Sequence, residues 1–205
     1  MQITITEGLC KLKTLNNRIQ KETNSAIFIT TSVGGKLDPQ FKSADDFSVK
    51  AKAAVQSLKD LIEQRNKIKA AIVSSNATTD VVIAGKTYKV AEAIERKSSV
   101  QFEKALLSTM IQQFNLAQRK VEQTNRQAQE RLDKLLEQTF GKDAKVDPDN
   151  IKTMSDGFMS KNEAKFVDPL NIMEHIEKLN NDIEEFLSNV DVALSVSNST
   201  TFIEI

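Results

Sequence analysis

Apolar side chains recur at three- and four-residue steps through four stretches of this chain, and each stretch predicts an amphipathic helix. Ile5, Leu9, Leu12, Leu15 and Ile19 form the first stripe. Thr4 or Thr6 is its expected N-cap, and it ends near Asn24. Phe47, Ala51, Ala54, Val55, Leu58, Leu61, Ile62, Ile68 and Ile72 form the second. Ser43 and Asp46 open it as a capping-box-like pair with Asp in place of Glu, and it runs to about Ser75. The third begins near Val90 and persists to Phe140, with Gly141 as the expected C′ residue. Its residues Met110, Phe114, Ala117, Val121, Thr124, Ala128, Leu132 and Leu135 lie close to a heptad seam. The fourth opens on Asp168-Pro169, an N-cap followed by an N1 proline. It carries Leu170, Met173, Ile176, Leu179, Ile183, Phe186, Val190 and Leu194 and ends at Ser197-Asn198.

Three runs break this period. Ala26 to Val33, rich in Ile, Phe, Thr and Val, predicts a strand. Residues 79–90 alternate on both sides of Ala84-Gly85-Lys86, which is a hairpin signal. Phe202 to Ile205 predicts a terminal strand. Gly34-Gly35 and Pro39 mark one loop, and the polar residues 142–167 read as a long connection. The expected fold is mainly α: a long-helix bundle or coiled coil, one domain over 1–205, with a small β-hairpin-containing sheet capping one end. About 48 residues of third helix span on the order of 70 Å, against a radius of gyration of about 17 Å for a compact chain of this length. A half-apolar stripe of that length left in water is a liability. The helix is therefore expected to pack against another subunit.

One element occurs twice. Ser75-Asn76-Ala77-Thr78-Thr79 precedes Asp80-Val81-Val82-Ile83, and Ser197-Asn198-Ser199-Thr200-Thr201 precedes Phe202-Ile203-Glu204-Ile205. Thr23-Asn24-Ser25 before Ala26 is a weaker third copy. If the second and fourth helices run parallel, both full copies lie at one end of the bundle beside the hairpin. Asn76, Thr78, Thr79, Asn198, Ser199, Thr200 and Thr201 would then cluster amides and hydroxyls near Arg65, Lys67, Lys69, Lys86, Lys89, Arg96 and Lys97. Such a set suits phosphates and nucleobase edges, and Tyr88 on the hairpin could stack on a base. Simpler roles stand beside these. Asn and Thr can cap helices, Tyr88 can be an ordinary strand residue, and Arg96 and Lys97 can pair with Glu92 and Glu95.

Charge and composition narrow the classes. Twenty-eight basic residues balance twenty-eight acidic ones, so no global field draws the chain to DNA or an anionic membrane. A single cysteine excludes an internal disulfide. Cys10, on the apolar side of the first helix, is expected to be a buried small hydrophobe. With one histidine, His175, there is no metal cluster and no Cys–His dyad. No Gly-rich phosphate loop or nucleophile elbow is present, and Glu92 with Glu95 and Glu184 with Glu185 read as solvated pairs. No stretch is long and apolar enough to span a bilayer, and residues 1–7 lack the pattern of a signal peptide. A soluble cytoplasmic protein without cofactor, metal or catalytic site is expected.

Ser74-Ser75-Asn76-Ala77-Thr78-Thr79, the stretch Ala84-Gly85-Lys86-Thr87-Tyr88-Lys89-Val90 continuing to Arg96-Lys97, and the ending Val190 to Ile205 resemble a phage protein family. That family is distantly similar to bacterial proteins named septicolysin-like. The resemblance covers most of the chain and is sharp at 74–97 and 190–205; the segment 142–167 is outside the bacterial pattern. Its phage members look like anti-CBASS sponge proteins, tetramers that sequester cyclic dinucleotide immune signals such as 3′3′-cGAMP without cleaving them. The resemblance thus implies a non-enzymatic homo-oligomer, a tetramer, acting in the host cytoplasm. Asn76, Thr78, Thr79, Asn198, Thr200 and Thr201 would hold phosphates or base edges, Lys86, Arg96 and Lys97 would supply charge, and Tyr88 would stack. A structural coiled-coil phage protein and a septicolysin-like cytolysin are the alternatives.

Overall fold

A computed structural model describes residues 1–37, 40–141 and 147–205. Pro39 and residues 142–146 of the expected long connection lie outside the described residues. Among the described residues 76% are helical, with small antiparallel strand pairs, which agrees with the mainly α expectation. In order come β1 (Gln2–Thr4), α1 (Ile5–Ser25), β2 (Ser32–Val33), β3 (Lys36–Leu37), α2 (Ala44–Thr78), β4 (Asp80–Ile83) and β5 (Lys86–Lys89). They are followed by α3 (Val90–Phe140), α4 (Pro148–Asn162), α5 (Ile172–Thr200) and β6 (Phe202–Glu204). The chain divides into two compact units, Met1–Ser98 with Phe186–Ile205, and Ser99–Glu185.

In the first unit α1 and α2 lie antiparallel. Leu12 packs with Ile68 and Ile72, Arg65 Nε donates to Asn16 Oδ1 at 3.1 Å, and Ser57 Oγ donates to Glu22 Oε2 at 3.2 Å. The α1 start is fixed by a capping box: Glu7 N donates to Thr4 Oγ1 and Thr4 N to Glu7 Oε2. Gly8 allows α1 to approach closely. A Cβ there would meet Ile72 Cδ1 at 3.2 Å and Ile203 Cδ1 at 3.3 Å. The first core cluster, Ile3, Ile5, Leu12, Ile68, Ile72 and Ile203, sits at this crossing. A second cluster, Val81, Ile83, Val90, Ala93, Phe186 and Val190, joins the hairpin to the first turns of α3 and the last half of α5.

Several expectations change. The single capping sheet is three separate two-stranded ladders, β1–β6, β2–β3 and β4–β5. The terminal strand pairs not with the hairpin but with the N-terminal residues 2–4, through Ile3↔Ile203. Three residues are too few to show an alternating period, and a strand partner two hundred residues away leaves no local signal. The strand over Ala26–Val33 shrinks to Ser32–Val33, paired with Lys36–Leu37. The hairpin is as read: Ala84 (φ 50°) and Gly85 (φ 74°) are both left-handed, the two-residue turn that matches strand twist. Cys10 is exposed. The flank of α1 that carries it and Leu9, itself 43% exposed, is not the flank turned to α2.

Residues 148–162 are helix rather than connection. Asp147 caps α4 by accepting from Asp149 N, and Pro148 stands at its first turn. The same Asp-Pro signal misplaced the start of α5. Pro169 and Leu170 form a turn, Asn171 is left-handed at φ 52°, and the helix begins at Ile172, whose N–H donates to Asp168 Oδ2 at 2.8 Å.

The second unit contains its own packing. Asn125 acts as a peptide mimic, donating from Nδ2 to Ala164 O at 3.1 Å and accepting from Ala164 N at 2.7 Å. Phe166 stacks on Phe114 with centroids 6.0 Å apart. Val100, Ala128, Leu132 and Ile183 are buried there.

Candidate functional site

The helices α2 and α5 run two to three residues past their expected ends at Ser75 and Ser197-Asn198, to Thr78 and Thr200. Asn76 and Asn198 are therefore helical residues, not left-handed C′ residues. The reason lies in the hydroxyls. A helix end leaves carbonyls without intrahelical donors, and neither last turn carries a basic residue. Thr78 Oγ1 donates to Ser74 O and Ser75 O, each at 3.2 Å. Ser199 Oγ and Thr200 Oγ1 donate to Val196 O at 2.8 and 2.9 Å. Thr79 and Thr201 then close each end through backbone N–H bonds to Ser75 O and Ser197 O. The repeated Ser-Asn-x-Thr-Thr is a self-satisfying helix terminus that feeds directly into a strand.

The two copies meet. A groove of ≈ 380 Å³ is lined by Thr79, Asp80, Val81 and Val82 on one side and by Ala193, Val196, Ser197, Thr200 and Thr201 on the other. The α5 wall is one helix face, with steps of three and four residues. The other wall is an open strand edge. Val90 N donates to Thr79 O at 2.9 Å, and the register pairs Val81 with Tyr88 and Ile83 with Lys86. Residues 79, 81 and 83 thus bond β5 and α3. Alternation then turns the N–H and C=O of Asp80 and Val82 away from the ladder.

Electrostatics at this groove are set by two helix C-termini, which carry partial negative charge. Lys89 answers the α2 end: its Nζ donates to Thr78 O at 3.0 Å and pairs with Asp80 Oδ1 at 2.7 Å. The positive start of α3 is met by Glu92, whose Oε2 accepts from Lys89 N at 2.9 Å. The groove therefore offers acceptors and hydroxyls more than a phosphate cradle.

Of the expected site residues, Thr79, Thr200 and Thr201 line the groove. Asn76 Oδ1 is buried without a hydrogen-bond partner among the described residues, whereas Asn198 is half-buried in the last turns of α5. Lys86 lies exposed at the hairpin turn. Tyr88 is not a free stacking platform. It meets Phe186 edge-on at 5.8 Å, and Arg96 Nη1 donates to its hydroxyl. The Arg96 guanidinium lies 4.4 Å from the centroid of Phe186, so its charge is held by a cation–π contact. Lys97 Nζ pairs with Asp191, not with Glu92 or Glu95. Arg96 faces Phe186, fourteen residues before Thr200, or about 21 Å along α5. Arg65 is thirteen residues from Thr78, about 20 Å along α2, and Lys67 pairs with Glu63 at 2.8 Å. Neither helps form the groove.

Asp80, Val82, Ala193 and Val196 line the groove without having been singled out. The signal was present for α5, because Ala193, Val196, Ser197 and Thr200 share a helix face. For β4 it was hidden in which strand face and edge the hairpin would bury. Among the described residues no cluster of His, Cys, Asp and Glu could hold a metal ion, and no helix is long and apolar enough to cross a membrane. Comparison with protein-family models, curated proteins and solved structures gives no significant match.

Proposed function

We propose that this chain is a non-enzymatic, oligomeric binding protein that sequesters a cyclic oligonucleotide signal, as the phage sponge proteins it resembles do. One observation supports this reading most: both copies of Ser-Asn-x-Thr-Thr converge on one groove, whose volume lies within the usual range for small-ligand sites. The groove's chemistry refines the expected contacts. Outward C=O groups of Asp80 and Val82 and the hydroxyl oxygens of Thr79, Thr200 and Thr201 accept hydrogen bonds. Exocyclic base amines and ribose hydroxyls donate them. Lys86 is exposed on the hairpin turn, outside the groove's lining, and in this reading would reach across to a phosphate. Arg96, Lys97 and Tyr88 support the hairpin and α5 rather than the ligand. Self-association is supported by Phe102, Leu106 and Leu116, which remain 79%, 51% and 64% exposed on α3.

Calorimetric titration with a panel of cyclic dinucleotides tests the proposal. A sub-micromolar binder is expected, and it should be recovered intact after the protein is denatured. Thr200→Val should weaken it at least tenfold while leaving the circular dichroism unchanged. If no cyclic nucleotide in the panel binds, the reading fails.

A second reading has its own observation. The hydroxyls of Thr78 and Thr200 already donate to their own helices, as they would in a purely structural coiled-coil protein with a 51-residue helix. That reading expects Thr200→Val to alter stability alone and no nucleotide to co-purify.

A further inference from the structure

The likeness between the two Ser-Asn-x-Thr-Thr copies extends well beyond those residues. Val81 of β4 pairs with Tyr88 of β5, as Ile203 of β6 pairs with Ile3 of β1. Val90 N donates to Thr79 O at 2.9 Å, and Ile5 N donates to Thr201 O at 3.0 Å. The helix after each ladder is capped alike. Glu92 Oε2 accepts from Lys89 N and Glu7 Oε2 from Thr4 N, both at 2.9 Å. One position further on, Ala93 and Gly8 are both buried. The run α2–β4–β5 and the start of α3 is thus repeated by α5–β6 together with β1–α1.

The two repeats clasp each other. Ile203, which follows α5, packs with Ile68 and Ile72 of α2. Val81, which follows α2, shares the second core cluster with Val190 of α5, and Leu194 packs against it. These positions correspond: Ile68 answers to Val190 and Ile72 to Leu194, as Ser75 answers to Ser197. All of them lie in the first unit. Reciprocal contact, in which each surface meets its own counterpart, is the property of a two-fold axis. Such an axis bisects the line between equivalent residues, so it passes between Thr79 and Thr201.

The axis carries the groove described above onto a second one. In the first, Thr79–Val82 face Ala193, Val196, Ser197 and Thr200. In the second, Thr201–Glu204 face Ala71, Ser74, Ser75 and Thr78. Ser74, Thr78, Phe202 and Glu204 are exposed. The alternation that turns the N–H and C=O of Asp80 and Val82 out of their ladder does the same for Phe202 and Glu204. Thr79 and Thr201 belong to both grooves, which therefore meet at the axis. The side chains are not identical. Phe202, 58% exposed, stands where the first groove has Asp80, and Ser74 stands where it has Val196.

We infer that the two grooves are halves of one site, which takes a ligand with two like halves, one nucleobase to each groove. This rests on the ligand reading above and narrows it to a cyclic dinucleotide. The first groove, at ≈ 380 Å³, is near the lower end of the ~300–1,000 Å³ of small-molecule sites, which suits half of such a ligand. In the second groove Phe202 stacks on the base, and the hydroxyl oxygens of Ser74 and Thr78 meet its edge. Each half, once held, raises the effective concentration of the other.

Bulky side chains at the equivalent positions test the inference. Val196→Phe fills the first groove and Ser74→Phe the second. Both residues are exposed, so circular dichroism should not change. Titration of the wild-type chain with cyclic di-AMP, cyclic di-GMP and 3′3′-cGAMP should yield one ligand per chain for whichever binds. Either substitution alone should weaken that binding about tenfold or more, and Phe202→Ala about fivefold or more. Two ligands per chain, or tighter binding of a cyclic trinucleotide, would overturn the inference. So would Ser74→Phe and Phe202→Ala chains that bind as wild type while Val196→Phe does not, and the first groove would then stand alone as the ligand site. No binding by any of the three dinucleotides would remove the inference and the ligand reading together.

Discussion

Phe186 is the side chain on which the second core cluster depends, and removing its ring should cost more than any other single truncation there. It is 1% exposed and packed among Val81, Ile83, Val90, Ala93 and Val190. A buried phenylalanine removes about 200 Å² from water. Ala retains about a quarter of that, so Phe186→Ala forfeits about 150 Å², or roughly 4 kcal/mol at ~25 cal/mol per Å². The loss of the Arg96 contact adds about 0.5–1 kcal/mol. The total agrees with the ~3–5 kcal/mol typical of Phe→Ala in cores, and it takes up a large share of a stability of ~5–15 kcal/mol. Phe186→Leu keeps most of the volume and should cost about 1.5 kcal/mol or less. Tyr88 is the only tyrosine and there is no tryptophan. Near-ultraviolet circular dichroism during urea unfolding therefore reports chiefly on Tyr88, which touches Phe186 edge-on. A Phe186→Ala midpoint within about 1 kcal/mol of wild type would show that the hairpin and α5 are not held by this ring.

Asn125→Ala should destabilise the 163–167 segment by about 2 kcal/mol, since two hydrogen bonds to Ala164 are lost together; the Ala164 amide should then exchange with solvent at least tenfold faster. Lys97 and Asp191 are 47% and 69% exposed, so Lys97→Ala should cost ~1 kcal/mol or less, and molar salt should erase the difference in thermal midpoint. The Glu22 carboxyl is held below its usual value of 4.5, first by the Arg18 guanidinium and with help from the Ser57 hydroxyl, against an opposing effect of desolvation. Because its folded pKa is the lower one, its contribution is present above pH 4.5 and is lost as pH falls through the folded value. Glu22→Gln should therefore flatten the acid limb of a stability–pH curve, which thermal melts from pH 7 downward would detect.

Much of the fold was legible because its causes are local. The stripes of α1, α2, α3 and α5 and the Ala84-Gly85 turn follow from side-chain period and from which residues tolerate a left-handed backbone. The caps at Thr4, Ser43 and Gly141 are equally short-range, and each is legible in its own few residues. The helix at 148–162 was missed although Asp147-Pro148 repeats the signal read at Asp168-Pro169. The pair marks a chain reversal equally well, and the residues next to it decide: a left-handed Asn171 delays α5, whereas α4 starts at once.

The convergence of the two Ser-Asn-x-Thr-Thr copies was legible only on the condition that two helices of like ending run parallel. What the residues around it do was not. Arg96 and Lys97 are basic in any fold, but whether they meet a ligand, Phe186 or Asp191 depends on the rotation of α3 against α5. The same holds for Cys10, whose exposure is set by which flank of α1 meets α2. The pairing of residues 2–4 with 202–204 joins segments far apart in sequence. Local period and capping chemistry are written into neighbouring residues. Contacts between distant segments are decided only when all the apolar faces compete for burial at once.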